Sequence, residues 1–439
     1  MNNMVIKPKL NLSCKKFINV IGRLTSRGIV MGKTSVIILL LVFAVVAAPI
    51  IYHFYLQYTE SRESESMTHP SNQGEGENPQ GSPLLSESSE ISTPGSLEVS
   101  SRIDHVPHLH VPSFTLPNPP EEYRVITITD NAGRNVTVTV PVQRIVSLNS
   151  GLTEMLCVLG AQGKIIGRDA TSTMPPSILS VPVVGENSYQ PNVEAILELK
   201  PDIIFADSML AYNTVAMQQL EGAGIPIFIS DPTDPKPTPR SNTTVVDFTC
   251  NLLMKMAMIV GGEMRASEYI QLAQYYNNLV KQRIASLPNE KRPKVMWEWY
   301  APYWTFISPA IYHAGGINIA ENMTVYAPVM SPEFVVEQNP QVIIRMISSP
   351  THDLNDFVKI WQEIMSRLEL QNVDAIKKGR VYICDWKLRD GILAVVGYLY
   401  FAKWIQPTLF EDVDPAKVMA EIYQRFFGIT VEGTFVYPP

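Results

Sequence analysis

Three segments carry residue types that could bind or react. WEWYAPYWTF, residues 297–306, sets six aromatic side chains in ten positions directly after an apolar run. Tryptophan and tyrosine present wide flat faces with a polar tip, which suits a large planar or chelated ligand. Trp299 and Tyr300 are its candidate contacts, although an aromatic core cluster would read the same way. DWKLRDG, residues 385–391, also follows an apolar run. There Asp385 can accept hydrogen bonds, Trp386 can stack and Arg389 can grip a carboxylate or other anion. An exposed strand–helix turn is the plainer alternative. In GENSYQPN, residues 185–192, Tyr189 stands just before a short helical stretch. It is either a third ligand contact or part of a connecting loop.

Catalytic signatures are missing. No GxSxG, HExxH, Walker-type or GxGxxG motif occurs. After residue 122 the only histidines are His313 and His352. That disfavours a histidine-based hydrolase or a multi-histidine metal site, so the expectation is no enzyme, no cofactor and no metal site. Cys157, Cys250 and Cys384 lack CxxC spacing and read as small buried hydrophobes.

A repeat does appear. NVEAILELKPDII (192–204) and SPEFVVEQNPQVII (331–344) each open on a capping residue, Asn192 or Ser331. A glutamate follows in the first helical turn, Glu194 or Glu333, where it complements the helix dipole. Then come a short apolar helix, a proline and a strand. Glu154 lies off the apolar stripe of its own helix, and the repeat does not select it.

The elements that must position these residues are legible from periodicity. VITITDNAGRNVTVTV (125–140) alternates apolar and polar residues around a turn and predicts a hairpin. Short apolar strands are predicted at 144–148, 164–167, 202–206 and 225–229, with helical stretches between. A helical stretch spans 244–287, interrupted only by Gly261–Gly262. A second series of strands follows at 294–299, 341–346 and 380–386. Strands alternating with helices imply parallel sheets covered on both faces. The fold class is therefore α/β, with two Rossmann-like lobes (122–243 and 289–439) bridged by a single long helix (244–288).

The first 121 residues are different. Residues 1–34 hold seven basic side chains and no acidic one, against a net charge of −7 for the whole chain. Residues 35–56 are uncharged, and 22 residues span about 33 Å as a helix, enough for a hydrocarbon core. The basic block beside it reads as a topology signal for a single-pass anchor in the cell membrane, not as a nucleic-acid patch. A cleaved signal peptide is the competing reading. Residues 57–121 contain nine prolines, thirteen serines and a net charge of −8, the composition of an extended stalk. Its HxxHxH run (His105, His108, His110) is either a solvated linker or a metal-gathering site. Outside the anchor, Asn135, Asn242 and Asn322 head N-x-[ST] sequons compatible with glycosylation.

From about Tyr123 to Phe427 the chain resembles the substrate-binding proteins of ABC importers for iron–siderophores, haem and cobalamin. The resemblance rests on RIVSLNSGLTEMLCVLGAQGKIIGR, PNVEAILELKPDIIFA, HAGGINIAEN, SPEFVVEQNPQVII and GRVYICDW, in that order. It implies a metal-chelate ligand held between the lobes, an ABC permease and its ATPase as partners, and Glu194 and Glu333 as permease-docking residues. It also implies that Trp299 lines the cleft and that Asp385, Trp386 and Arg389 occupy a segment used by cobalamin-binding members. Ser188 stands where those members carry a tryptophan, and another aromatic is displaced to Tyr326. Arginine-rich siderophore sites offer Arg168, Arg345 and Arg389 as alternatives, so the chelate stays open. A surface sensory or adhesive receptor reusing the fold is the second functional reading.

Overall fold

Valine and threonine alternate between Arg124 and Val140, and in the computed structural model they form strands β1 (Arg124–Thr129) and β2 (Asn135–Val140). The valines of β2 point inward and its threonines outward, as a period of two requires. The structure describes residues 123–347 and 353–438. The basic tail, the predicted span at 35–56 and the stalk lie outside that range. Among the described residues, no helix is long and apolar enough to cross a membrane.

The first parallel sheet holds β3 (Ile145–Ser147), β4 (Ile165–Arg168), β5 (Ile203–Ala206) and β6 (Ile227–Ile229), ordered β4-β3-β5-β6. All residues of β3, β5 and β6 are buried, because helices cover both faces. Those helices are α1 (Ser150–Val158), α2 (Val193–Leu199), α3 (Ser208–Tyr212) and α4 (Thr214–Gly222). Each has an N-cap side chain, respectively Asn149, Asn192, Asp207 and Asn213, accepting a backbone N–H of the first turn.

The stretch predicted as one bridging helix is two. α5 (Val245–Val260) and α6 (Glu263–Ile284) run antiparallel, since Asp247 in the first turn of α5 bonds Lys281 in the last turn of α6 at 2.8 Å. Gly261 and Gly262 make the break at φ 84° and 95°, a region that side chains resist. A Cβ on Gly262 would lie 2.3 Å from the carbonyl oxygen of Leu159. The bridge is therefore a helical hairpin, of which α6 alone spans about 33 Å.

The second sheet is ordered β11-β10-β9-β7-β8. It comprises β7 (Lys294–Glu298), β8 (Ile317–Asn318), β9 (Val342–Ile347), β10 (Val381–Asp385) and an antiparallel edge strand β11 (Val436–Tyr437). Helices α7 (Ala310–His313), α8 (Pro332–Gln338), α9 (Leu354–Met365), α10 (Asp374–Lys377), α11 (Ala394–Ile405) and α12 (Pro415–Phe427) accompany it. α11 is buried on all sides except at Lys403, so it is a core helix and not a surface one. One continuous apolar cluster joins Ile145 and Leu156 of the first half, Leu253 and Tyr269 of the helical hairpin, and Val396 and Leu399 of α11. Smaller clusters fill the far face of each sheet. Among the described residues Cys157, Cys250 and Cys384 are free and buried within this packing.

Gly397 lets α11 lie directly beneath the turn after β10. A Cβ there would sit 1.9 Å from the carbonyl oxygen of Leu388. Gly397→Ala is therefore expected to destabilise the protein by about 1–3 kcal/mol. The urea midpoint should fall with an unchanged slope; an unshifted midpoint would contradict the close approach.

Candidate functional site

Parallel strands leave their carboxyl ends on one edge, which is where ligands of doubly wound sheets bind. In the second sheet β7 delivers Trp299 and Tyr300, and β10 delivers Asp385, Trp386 and the turn through Asp390. Trp299 is 4% exposed and packs at ring-centroid distances of 3.9 Å from Phe306 and 5.0 Å from Tyr300. Tyr300, 39% exposed, is the more open ring. Tyr326 stands 5.3 Å from Phe306, which joins the displaced aromatic to the same wall. Arg389 stacks its guanidinium 4.8 Å above the Trp299 ring and pairs with Asp390. Trp386 is half-buried. Asp385 is buried, and its Oδ1 accepts the N–H of Lys387 at 2.9 Å.

The first sheet ends its strands on carboxylates. Asp207 follows β5, accepting from Asn149 Nδ2 and the Met209 N–H, each at 2.9 Å. Asp231 lies just beyond β6 and accepts from the Ser230 hydroxyl at 3.1 Å. Burial, reinforced by Asp207, raises Asp231 to about 6, while Arg389 opposes the rise. Burial would depress Arg389, but Asp390, Tyr300, Asp231 and Tyr326 outweigh it and hold the guanidinium above its ordinary value. Strand ends of both sheets thus face one another across Arg389. Asp207 and Asp231 were missed in the sequence, although each stands at the end of a predicted strand and the position rule would have found them.

The halves meet at the base of this site. Gly391, at φ 60°, lies so close to Gly151 of α1 that a Cβ would come within 2.9 Å of the Gly151 Cα. Lys387 Nζ reaches Thr173 Oγ1 at 3.5 Å. Tyr189 is exposed, and its carbonyl accepts from Asn213 at 2.8 Å, so it stands on the rim of the first half. Ser188 is buried and donates to the Leu148 carbonyl at 2.7 Å, so it presents no surface to a ligand. Arg168 is occupied by the carbonyls of Val181, Asp169 and Ser172, and Arg345 by Glu298.

Glu194 and Glu333 sit at matching places on two seven-residue helices, α2 and α8, and both are exposed. Each helix ends on a left-handed residue, Lys200 at φ 49° and Asn339 at φ 48°, before its proline. The Glu333 N–H and the Ser331 hydroxyl hold the Glu333 carboxyl below its usual range. Asn135, Asn242 and Asn322 are exposed. Asn322 lines an open cavity of about 490 Å³ with Thr238, Pro239, Arg240, Ser241 and Glu321, which shares no residue with the aromatic wall. Among the described residues, no cluster of three or more histidines, cysteines or carboxylates could hold a metal ion.

Comparison with known proteins fits this geometry. Residues 145–388 match the periplasmic binding protein family, and the chain belongs to it. An uncharacterised ABC transporter substrate-binding lipoprotein of Bacillus subtilis, YvrC, is 24% identical over 65% of this chain and 87% of its own. A cobalamin-binding protein of Halobacterium salinarum is 28% identical over 52% of this chain and 60% of its own. Among solved structures, the molybdate-bound MolA of Haemophilus influenzae covers 70% of this chain and 100% of its own, at 20% identity and a TM-score of 0.59. The TroA-like protein FepB of Veillonella parvula covers 71% and 99%, at 23% identity and 0.56. These last two likenesses concern the fold.

Glu154 belongs to no apolar stripe in the sequence, yet it is only 3% exposed, enclosed by α1, α12 and the turn after β10. Burial pushes its carboxyl from 4.5 to about 8; Lys387 opposes the rise, Asp385 and Asp390 add to it, and the Tyr423 hydroxyl at 3.5 Å lowers it. The native state therefore keeps a proton that the unfolded chain has lost, and stability falls as pH rises from about 4.5 to about 8. Glu154→Gln should leave the melting temperature near that of the wild type at the acid end and raise it increasingly toward pH 8. A constant difference across that window would refute the buried proton.

Proposed function

We propose that this protein is an ABC-importer substrate-binding protein, anchored by residues 35–56 with its globular part outside the cytoplasm. Residues 57–121 serve as stalk, and lobes 122–243 and 289–439 capture a metal chelate of the iron–siderophore, haem or cobalamin type. It performs no chemistry, and it hands the chelate to a permease and its ATPase. The observation carrying this reading is the aromatic wall of Trp299, Tyr300 and Tyr326 around Arg389, opposite the strand ends of the first sheet; half-buried Trp386, on the turn after β10, is proposed to join it. Asp390 already pairs with Arg389, and Asp207 and Asp231 add two further carboxylates. A bare oxyanion entering there meets three carboxylates for one guanidinium, so charge disfavours it. The open Tyr300 ring, backed by the buried Trp299, is left to recognise a large planar or chelated ligand. Tyr189 on the rim and Asp385 behind the wall complete the proposed contacts. Glycans at Asn135, Asn242 and Asn322 would project from exposed positions.

Delivery is assigned to Glu194 and Glu333. Two equivalent charges on matched helices suit two equivalent permease subunits, giving steering and register. Calorimetry of the full-length chain against cyanocobalamin, haemin and a neutral ferric tris-hydroxamate tests the ligand class, and binding of none would remove it. Replacing both Glu194 and Glu333 by alanine should leave affinity within about twofold and abolish uptake in cells. Undiminished uptake by that variant would refute the docking role.

A further inference from the structure

β7 ends on a carboxylate that does not reach solvent. Glu298 is 0% exposed. Its Oε1 accepts from Arg367 Nη1 at 2.5 Å and from the Tyr303 N–H at 2.8 Å. Its Oε2 accepts from Arg367 Nη2 at 3.1 Å and from Arg345 Nη1 at 3.0 Å. Arg345 is the residue opposite Glu298 on the neighbouring strand β9. Its other terminal nitrogen, Nη2, donates to the carbonyl oxygen of Tyr300. Both ends of the 300–303 turn therefore hang on one buried charge cluster, Tyr300 through Arg345 and Tyr303 through Glu298. The turn is tight. Tyr303 adopts φ 63°, and the Trp299 N–H donates to the Trp304 carbonyl at 2.7 Å.

Glu298 does not need Arg345 to satisfy its oxygens. Arg367 alone satisfies Glu298 through both carboxylate oxygens, and it has Glu363 at 2.9 Å besides. Arg345 is 6% exposed, and its Nε has no partner among the described residues. Removing one partner of a buried ion pair is costly when it strands the other charge, but Arg367 stays on both Glu298 oxygens when Arg345 is replaced by an apolar side chain, and the orphaned Nε is removed with it. What an apolar side chain cannot do is hold the Tyr300 carbonyl.

We propose that Arg345 is a positioning residue: it fixes the turn that presents Trp299 and Tyr300, and does not itself touch the ligand. The proposal rests on the reading, under Proposed function, that these rings line the binding site. A rigid aromatic wall binds more tightly than a loose one because less ordering remains to be done on association.

The test compares Arg345→Met with Arg367→Met in the full-length chain. Arg345→Met is expected to leave the melting temperature unchanged or higher and to alter the near-ultraviolet circular dichroism of the ligand-free protein, because Trp297, Trp299 and Trp304 surround the turn. It should weaken binding of cyanocobalamin, haemin or the ferric tris-hydroxamate, whichever the wild type binds, by about tenfold. Arg367→Met, which takes the bidentate partner from Glu298, should lower the melting temperature. A lower melting temperature for Arg345→Met assigns it an ordinary structural role and overturns the proposal. Weaker binding with an unchanged ligand-free spectrum assigns direct contact and overturns it too, as does altered packing with undiminished affinity. If the wild type binds none of the probes, the ligand reading falls, while the spectrum and melting temperature still decide whether Arg345 holds the turn.

Discussion

The rest of the structure depends on one apolar core that passes from the first sheet, through the α5–α6 hairpin, into α11 and the second sheet. It contains the fully buried Leu156, Leu253, Met256, Val280, Val396 and Leu399. Withdrawing any one of these from contact costs about 1.5–3 kcal/mol. Rotating one sheet far from the other would expose several of them at once. The core therefore sets the separation of the two rows of strand ends, and the contact of Gly151 with Gly391 closes their base. In the proposed reading, recognition comes from the side chains that the strand ends present, above a floor that this contact fixes.

That constraint explains the contrast between two buried glutamates. Glu298 accepts hydrogen bonds from two guanidiniums, Arg345 on the neighbouring strand and Arg367 just after α9, and from the Tyr303 N–H. Glu154 lies where the two halves close on each other, with a tyrosine hydroxyl at 3.5 Å and a lysine whose ammonium turns toward Thr173. Burial keeps its proton on, and Lys387 opposes this without pairing with it. Similar burial thus meets different partners: Glu298 is held by two guanidiniums, while among the described residues Glu154 has only a tyrosine hydroxyl in reach.

Much of this was legible in the sequence where local rules suffice. The period-two run at 125–140, the apolar strands and the two capped helices with their prolines all form as the pattern predicts. The break at Gly261–Gly262 was visible, yet helical patterning on both sides suggested a continuous rod; the close approach to Leu159, about a hundred residues earlier in the chain, is what demands glycine and turns the rod into a hairpin. Glu154 was illegible for the same kind of reason, since Tyr423 is 269 residues away. Glu298 was hidden inside an aromatic run, and Arg367, its main partner, is 69 residues on. Asp207 and Asp231 required only attention to the residues at the carboxyl end of a strand.

The two halves are not copies of each other. One sheet has four parallel strands, while the other has five with an antiparallel edge, and only one half carries the aromatic turn. What they share is a single unit: capping residue, glutamate, seven-residue helix, left-handed exit, proline, buried strand. Helices this short draw little from propensity and depend on their caps and on the strand that comes after. Asn192 and Ser331 supply one end, and the left-handed Lys200 and Asn339 supply the other. Each unit can therefore hold its glutamate on the surface whatever else its sheet has become. That independence lets an asymmetric proposed ligand site coexist with a matched pair of surface charges: the aromatic turn lies at the carboxyl ends of the strands, and the charges stand on the helices that lead into their amino ends.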